Sequence, residues 1–194
     1  GTVSVGTYST FNCSSSNSGA LSVTSMTLQL SSFTNTGTVT NTGNLVLANF
    51  LGGSSWSNNN GSTLNIYGNI SYSGSGNSFT ASASSNTVNF CGNGTQNIFS
   101  TTYHHLSISG TGTKTLVGAI TVNRNLTVSG SATLACSSYQ ITGNATGILS
   151  LASGTTLALG SLSSATNVSF PTAYTSANIS LNSTSTVISV SYTH

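Results

Sequence analysis

The chain has 194 residues, of which 36% are hydrophobic and 1% are charged, and it contains no Asp or Glu. Its net charge of +2 comes from Lys114 and Arg124 alone. A charge this small does not attract nucleic acid or acidic lipid, so we expect no nucleic-acid partner. Disordered chains usually combine low hydrophobicity with high net charge, so the composition favours ordered structure with a neutral, hydroxyl-rich surface.

No apolar run approaches the roughly 18 residues that a membrane span needs, and we expect no membrane insertion. The sequence begins at Gly1 without an initiator Met or a charged and then apolar signal segment. We therefore expect either that a leader has been removed or that the chain is a piece of a larger protein.

Short runs rich in apolar and β-branched residues follow one another from the N-terminus onward. The runs are separated by Gly, Asn, Ser and Thr, and these residues are typical of turns rather than helices. No stripe with the helical period extends over ten residues, so no helix is expected. The first runs lie at residues 2–5, 21–30, 34–50, 64–67 and 70–72.

A repeat of about 20 residues dominates the stretch 86–128. Val88, Ile108 and Val128 follow this repeat and lie at the centres of runs that alternate apolar and polar residues. Extending the count gives apolar centres at Val46, Ile66, Val88, Ile108, Val128, Leu149, Val168 and Val187. Secondary runs near Val39, Phe79, Ile98, Ile120, Ile141, Leu157 and Ile179 indicate at least two strands in each period.

This repeat predicts an all-β fold, a right-handed parallel β-helix (β-solenoid) with eight or nine turns of about 20 residues. The apolar centres should point into the core. An antiparallel β-sandwich, which also spaces its strands by about 8–12 residues, is the alternative. We expect one solenoid segment over residues 1–194, with less regular turns at 1–85 and a regular repeat at 86–194. Residues 185–189 echo residues 86–90, so a next repeat unit is expected to begin near residue 185.

Four motifs in the regular part of the chain are characteristic. They are Thr87-Val-Asn-Phe, Gly94-Thr-Gln-Asn-Ile, Tyr103-His-His-Leu-Ser-Ile-Ser-Gly-Thr-Gly-Thr-Lys-Thr-Leu and Ile120-Thr-Val-Asn-Arg-Asn-Leu-Thr-Val. These motifs resemble the repeats of large secreted, adhesin-like β-solenoid surface proteins of Bacteroidota. The resemblance covers residues 34–190 and is best at 86–160; the pair His104-His105 and the lack of acids depart from the pattern. It implies a secreted bacterial protein at the cell surface with a structural or adhesive role, and it carries over no functional residue.

Residues for catalysis are scarce. Without carboxylates there is no general acid–base pair, no glycosidase dyad and no oxygen-rich calcium cage. His104 and His105 are adjacent, so in a strand they should point to opposite faces and should not chelate one ion together. We therefore expect no enzymatic activity, no catalytic residue, no bound metal and no cofactor.

Cys13, Cys91 and Cys136 are too far apart along the chain for an easy bridge between neighbouring turns. We expect buried, unpaired thiols, with one disulfide as the alternative.

Nine Asn-x-Ser/Thr sequons are candidates for covalently attached glycans, although most could be corner residues in so Asn-rich a chain. They begin at Asn12, Asn60, Asn69, Asn93, Asn125, Asn144, Asn167, Asn178 and Asn182.

The sequence thus predicts a non-catalytic, extracellular structural protein, a fibril or adhesin-like surface fibre. Its main partner would be itself, through end-to-end filament formation or within a tandem array, because strand-rich ends with few charges favour edge pairing. The alternative is an ice- or glycan-binding β-solenoid module, indicated by the Thr-rich runs at 36–40 and 111–115.

Overall fold

The computed structural model describes residues 2–5, 9–11, 15–23, 26–29, 32–35, 38–41, 45–48, 55–73, 77–161 and 168–189. Among these residues the one helix is a single 3₁₀ turn, Ser176–Asn178. No helix in the described ranges has the length and apolar character to cross a membrane. The chain forms two compact units, Gly1–Asn89 and Phe90–His194.

The first unit consists of short strands that belong to three sheets in regular succession. The first sheet has the order β1-β4-β7-β10-β13, the second β2-β5-β8-β11 and the third β3-β6-β9-β12. The strands are β1 (Thr2–Val5), β2 (Ser9–Phe11), β3 (Ser15–Asn17), β4 (Ala20–Val23), β5 (Met26–Gln29), β6 (Ser32–Asn35), β7 (Thr38–Asn41), β8 (Leu45–Ala48), β9 (Ser55–Asn58), β10 (Thr63–Ile66), β11 (Ile70–Ser73), β12 (Ser78–Thr80) and β13 (Thr87–Phe90).

The second unit repeats this three-sided arrangement. Its first face has the order β16-β19-β22-β24, its second face β14-β17-β20-β23-β25 and its third face β15-β18-β21. The strands are β14 (Gln96–Ile98), β15 (Thr102–Tyr103), β16 (His105–Ile108), β17 (Thr111–Leu116), β18 (Ile120–Val122), β19 (Leu126–Val128), β20 (Ser131–Ala135), β21 (Ile141–Thr142), β22 (Leu149–Leu151), β23 (Thr156–Leu159), β24 (Ile179–Leu181) and β25 (Thr186–Ser189).

The strand pairs are parallel, and most strands pair with the strand three positions earlier or later in the chain. Successive turns of the chain thus add one strand to each of three sheets, which is a parallel β-helix. The prediction of this fold is confirmed, and the antiparallel sandwich is wrong: in the described residues the antiparallel pairing is an isolated bridge between Ser137 and Gly160. The handedness of the helix stays a prediction.

The turns vary in length more than the sequence repeat predicts. In the first unit the step from Thr2 to its register partner Ala20 is short, and the step from Thr38 to Thr63 is clearly longer. In the second unit the step from Leu106 to Leu126 matches the repeat, but the last described step on the same face, which ends at Ile179, far exceeds it. A parallel ladder tolerates this variation because extra residues are accommodated in the connections and leave the pairing unchanged.

This variation makes one of the expected apolar centres wrong: Val187 belongs to the second face of the second unit and is 39% exposed. Val168 lies outside any strand but is buried, as expected. Val46 pairs with Thr27 in the second sheet of the first unit, whereas Val39 occupies the first-sheet position that pairs with Leu64. The side chain of Val46 lies outside the described residues, so its inward orientation stays a prediction.

The other centres point into the core as expected, with exposures of 0% for all five. These are Ile66, Val88, Ile108, Val128 and Leu149. The first-face partner of Leu149 is Ile179, which the repeat had placed in a secondary run.

The echo between residues 86–90 and 185–189 joins strands of the two units. β13 belongs to the first sheet of the first unit, and β25 extends the second face of the second unit beyond β23. A larger repeat unit that begins near residue 185 stays a prediction.

The core of each unit consists of apolar columns that run from turn to turn. In the second unit, Leu106, Leu126 and Leu149 form one first-face column, and Leu134 and Leu157 belong to a second-face column. All five side chains are at most 1% exposed. Each such leucine contributes about 1.5–3 kcal/mol of transfer free energy, and strands of three or four residues are stable because they stack in these columns.

Asparagine side chains link neighbouring strands, and glycines shape the corners. In the first unit Asn89 donates its Nδ2 to Oδ1 of Asn65 at 3.2 Å, a side-chain ladder between neighbouring turns. In the second unit Gly110 and Gly130 have φ of 74° and 70°, and a Cβ on either would overlap a carbonyl oxygen of the preceding turn. Only glycine fits such left-handed, closely stacked corners.

Candidate functional site

The outward positions of the second unit form aligned rows of hydroxyl groups. On the second face, Thr113, Thr133, Thr156 and Thr186 occupy the same register position in four successive strands. Adjacent strands are about 4.8 Å apart, so this row repeats a methyl and a hydroxyl group at that spacing. Small outward residues, Ala135 and Ala158, lie beside the row.

The third face carries a second threonine row. Thr102, Thr121, Thr142 and Thr172 are register partners in succession. Three of them line a shallow groove of ≈ 400 Å³, together with Ser100 and Ala119. The groove presents hydroxyl and backbone groups, and its lining contains no acid, base or thiol. It could hold water or a sugar, but it has no group for acid–base chemistry.

These rows are more extensive than the two Thr-rich runs that the sequence singled out. Residues 111–115 lie in β17 and contribute one member, Thr113, to the second-face row. In the run at 36–40, residues 38–40 lie in β7, and residues 36 and 37 lie outside the described residues. The sequence pattern did not predict the rows, because their threonines are unevenly spaced along the chain. The spacing follows the length of each turn.

The sequons take different positions on the surface. Asn60 and Asn93 are exposed at bends of the chain, whereas Asn69, Asn125, Asn144 and Asn178 are only partly exposed. Nδ2 of Asn178 donates to the carbonyl oxygen of Ala145 at 2.8 Å, so a glycan on this nitrogen would have to replace its other hydrogen to keep the bond. Asn182 is exposed, and its Oδ1 accepts the backbone N–H of Thr184 at 3.3 Å. Asn12 and Asn167 lie outside the described residues.

His104 and His105 lie at the corner between the third and first faces, and their rings do not point apart. His104 precedes β16, and the ring centroids are 4.7 Å apart with an interplanar angle of 83°. The expectation of opposite faces was wrong because the chain bends at His104 instead of continuing as a strand. No group of three or more His, Cys, Asp or Glu side chains that could hold a metal occurs in the described residues.

Arg124 lies one turn after this pair. Its backbone N–H donates to the carbonyl oxygen of His104 at 2.9 Å. Burial lowers the pKa of both histidines below the usual 6.5, and the Arg124 charge lowers each pKa further. For His105 the neighbouring His104 ring contributes to the same effect. The three basic groups therefore form one electrostatic cluster at this corner.

Lys114 is fully buried. The sequence analysis did not predict this position, because lysine is usually a surface residue. Its Nζ donates to the carbonyl oxygens of Gly92, Gly94 and Thr111 at 2.8, 2.7 and 2.6 Å. Three acceptors match the three N–H groups of an ammonium ion, so the lysine is held in its charged form. The alternation of inward and outward residues in a strand could have predicted this burial. Lys114 and Leu116 are two residues apart in β17, so both side chains point inward.

Burial lowers the pKa of Lys114, and the nearby Cys91 opposes this effect. Gln96 is also buried in the same column, and its Oε1 accepts the backbone N–H of Gly92 at 2.9 Å. The lysine thus anchors a turn and does not reach a surface where it could act on a substrate.

Cys91 and Cys136 are both thiols, as the chain spacing predicts, but Cys91 is only partly buried, contrary to the expectation of buried thiols. Cys136 is fully buried, and burial raises the pKa of its thiol from 9.0 to about 12. Such a thiol is a weak nucleophile near neutral pH. Cys13 lies outside the described residues.

Comparison with known proteins found no match: no protein-family model, curated protein or solved structure is significantly similar to this chain.

Proposed function

We propose that this chain is a non-catalytic, extracellular structural protein that forms, or belongs to, an adhesin-like surface fibre. It would do so by end-to-end association of copies or as one part of a tandem array. The observation that carries this proposal is the continuation of the apolar columns into β24 and β25, strands that pair on one side only within the described part of the chain. Parallel strand addition is the interaction that builds each β-helix, and it would also join separate copies or tandem segments into a fibre.

The edge strands β24 and β25 support the proposal. Leu151 and Leu157 are at most 1% exposed, but their register partners Leu181 and Val187 are 48% and 39% exposed. No further strand pairs with β24 or β25 among the described residues. Burial of these side chains by another turn would release about 25 cal/mol for each Å² of apolar surface.

Almost no charge opposes such pairing. Natural edge strands are usually protected by Lys, Pro or bulges, and β25 has the sequence Thr-Val-Ile-Ser without any of these. Glycans at exposed sequons such as Asn60 and Asn93 would keep the sides of the fibre soluble while its ends pair.

Electron microscopy of the purified chain, with light scattering over a range of concentrations, tests end-to-end association. We expect fibres that Val187→Lys abolishes, because the substitution places a charge in the apolar column at the edge. Thr156→Lys is the matched control: it adds the same charge to the outward row of an inner strand and should leave the fibres intact.

Discrete monomers at high concentration would contradict non-covalent assembly. Mass measurement of the protein as secreted would then distinguish a tandem array, which gives a single long chain, from a separate domain. A short chain that never associates would contradict both forms of the proposal.

The threonine rows favour a second candidate, an ice- or glycan-binding module. The second-face row combines methyl and hydroxyl groups at regular spacing, and its outward residues carry no charge. Such a surface orders water without binding ions. We expect shaped ice crystals at a freezing front if this function operates, and Thr133→Tyr, which breaks the row, should abolish the shaping. Normal ice growth would contradict ice binding and leave glycan binding to be tested separately.

A further inference from the structure

The corner that contains His104, His105 and Arg124 holds the one fixed charge that reaches solvent in the described residues. The chain has two Lys and Arg residues in total, and Lys114 is buried. Arg124 is exposed, and the two histidines are partly exposed. The formal charge of an otherwise neutral surface is thus concentrated at one place.

Most of the nitrogens at this corner have no protein acceptor among the described residues. Arg124 uses Nη1 alone, which donates to the hydroxyl of Thr146 at 2.9 Å and more weakly to its carbonyl oxygen at 3.4 Å. His105 accepts the backbone N–H of Asn125 at Nδ1, at 3.4 Å, so its Nε2 carries the proton of the neutral ring. Nε and Nη2 of Arg124, Nε2 of His105 and the ring of His104 remain available as donors.

No side-chain counter-ion for these donors exists within the chain. The sequence has no Asp or Glu, so no side-chain carboxylate can pair with Arg124 or with a protonated histidine. Charge-assisted hydrogen bonds to an oxyanion are roughly twice as strong as neutral ones, and a planar guanidinium suits carboxylate and sulfate groups. A side-chain anion is therefore not available to this corner, and an anionic group that pairs with Arg124 comes from outside these side chains.

We propose that this corner binds the anionic group of an acidic sugar, a carboxylate or a sulfate ester, between Arg124 and the two histidines. Asn125 and Asn144 lie close by and use their Oδ1 atoms to accept the backbone N–H groups of Ile148 and Thr146, so their Nδ2 groups can donate to neighbouring sugar hydroxyls. This assignment stands independently of the fibre function, since it concerns one corner on the side of the β-helix.

Binding should tighten as the pH falls. The titratable or charged groups at the corner are His104, His105, Arg124 and Tyr174, whose hydroxyl donates to the carbonyl oxygen of Arg124 at 3.4 Å. Without an anion, Arg124 disfavours the charged imidazoles. A bound anion reverses that effect, so protonation and binding favour each other below the ordinary histidine pKa of about 6.5.

Calorimetric and NMR titrations with an oligoglucuronate test the proposal, with an uncharged glucose oligomer of equal length and inorganic sulfate as comparisons. We expect the oligoglucuronate to bind, to shift the His104 and His105 signals, and to bind about tenfold more tightly near pH 5.5 than near pH 8. Arg124→Gln should weaken binding about tenfold or more, since it removes a charged donor. Thr133→Ser on the second face is the control and should leave the affinity unchanged.

Arg124→Gln should fold normally because its backbone, not its side chain, contacts His104 and Tyr174, and a thermal melt checks this. A double variant, His104→Gln with His105→Gln, should retain binding near pH 8 and lose the pH dependence. Equal affinity for the uncharged oligomer, or an unchanged affinity in Arg124→Gln, would overturn the proposal. Equal affinity for inorganic sulfate, which is the result expected of an adventitious ion only, would overturn the sugar assignment.

Discussion

Lys114 is the residue at which side-chain chemistry and position in the strand conflict most. Its inward parity in β17 places an ammonium ion in a column that contains Leu134 and Leu157. Desolvation of such a charge costs several kcal/mol. Three hydrogen bonds from a charged donor, each contributing about 1.5–3 kcal/mol, offset that cost. The balance depends on the carbonyl groups of one glycine-containing corner, which the lysine in turn holds in place.

We predict that Lys114→Met destabilises the protein by about 2–4 kcal/mol, because it leaves the carbonyl oxygens of Gly92, Gly94 and Thr111 without their donor. Leu134→Met, in the next turn of the same column, should cost less than about 1.5 kcal/mol. Urea unfolding of both variants measures the difference. A Lys114→Met variant as stable as the original protein would show that desolvation outweighs the hydrogen bonds.

The histidines should control stability in acid, because the chain has no carboxylate side chain. The folded pKa of His104 and His105 is lowered, so the unfolded chain binds protons more readily between that value and the unfolded pKa of about 6.5. Their contribution to stability is therefore complete above about pH 6.5 and is lost as pH falls through the folded pKa. Urea midpoints between about pH 4 and 8 should show this one acid step.

Replacement of both histidines by Gln should flatten that profile, while Gln140→Asn, a control of similar polarity, should not. An acid step that persists in the double variant would contradict this prediction. Added anionic sugar should make the step smaller, because a bound anion raises the folded histidine pKa towards its unfolded value.

At the scale of single residues, sequence reasoning placed the core better than the site. Alternation within strands identified Val88, Ile108 and Val128 as inward, since that property needs only local geometry. The clustering of His104 and His105 with Arg124 depends on a bend at one residue and on the turn-to-turn register, which no local pattern encodes.

At the scale of elements, the difficulty was to assign strands to faces. The strands are short, and three faces carry similar Thr- and Leu-rich sequences. A fixed count along the chain therefore drifts from one face to another wherever a turn is shorter or longer than the repeat. This happened at Val46, because the turn from Thr38 to Thr63 is long, and at Val187, because the turn from Leu149 to Ile179 is longer still.

Corner glycines provide a prediction about these elements. Gly130 and Gly154 have nearly equal φ, 70° and 73°, but a Cβ on Gly130 would overlap the carbonyl oxygen of Gly110, whereas nothing lies within 4 Å of one on Gly154. We expect Gly154→Ala to lower the free energy of unfolding by about 1–2 kcal/mol, because alanine is strained at this positive φ. Gly130→Ala should cost about 2 kcal/mol more, because two turns must separate.

Denaturant unfolding of the two alanine variants separates the two effects, since the φ contribution is common to both. Equal losses of stability would mean that the corners are not closely stacked.

At the scale of the whole chain, the fold class followed from composition and pattern. Three sequence features each predict a parallel β-helix: scattered glycines, short β-branched runs and a regular repeat. The turns differ in length, but this difference does not change the fold class. The hydroxyl rows and the anchored lysine were not predicted. They arise from register between turns, which becomes visible only when the strands are stacked.

The last prediction concerns ionic strength and follows from the nearly charge-free chain. Exposed charges are screened within about 10 Å at roughly 0.1 M salt, but the described residues expose a single Arg, which provides almost nothing to screen. The free energy of unfolding should therefore change by less than about 0.5 kcal/mol between roughly 0.02 M and 0.5 M NaCl. Fibre formation, held by backbone hydrogen bonds and apolar columns, should be equally insensitive. Oligoglucuronate binding at the His104–Arg124 corner should weaken over the same range, because a charged ligand competes with salt there. Urea titrations, light scattering and calorimetry at both salt concentrations give three independent readings. A fibre that dissolves in high salt would show that charges join the copies, and would contradict assembly by strand addition.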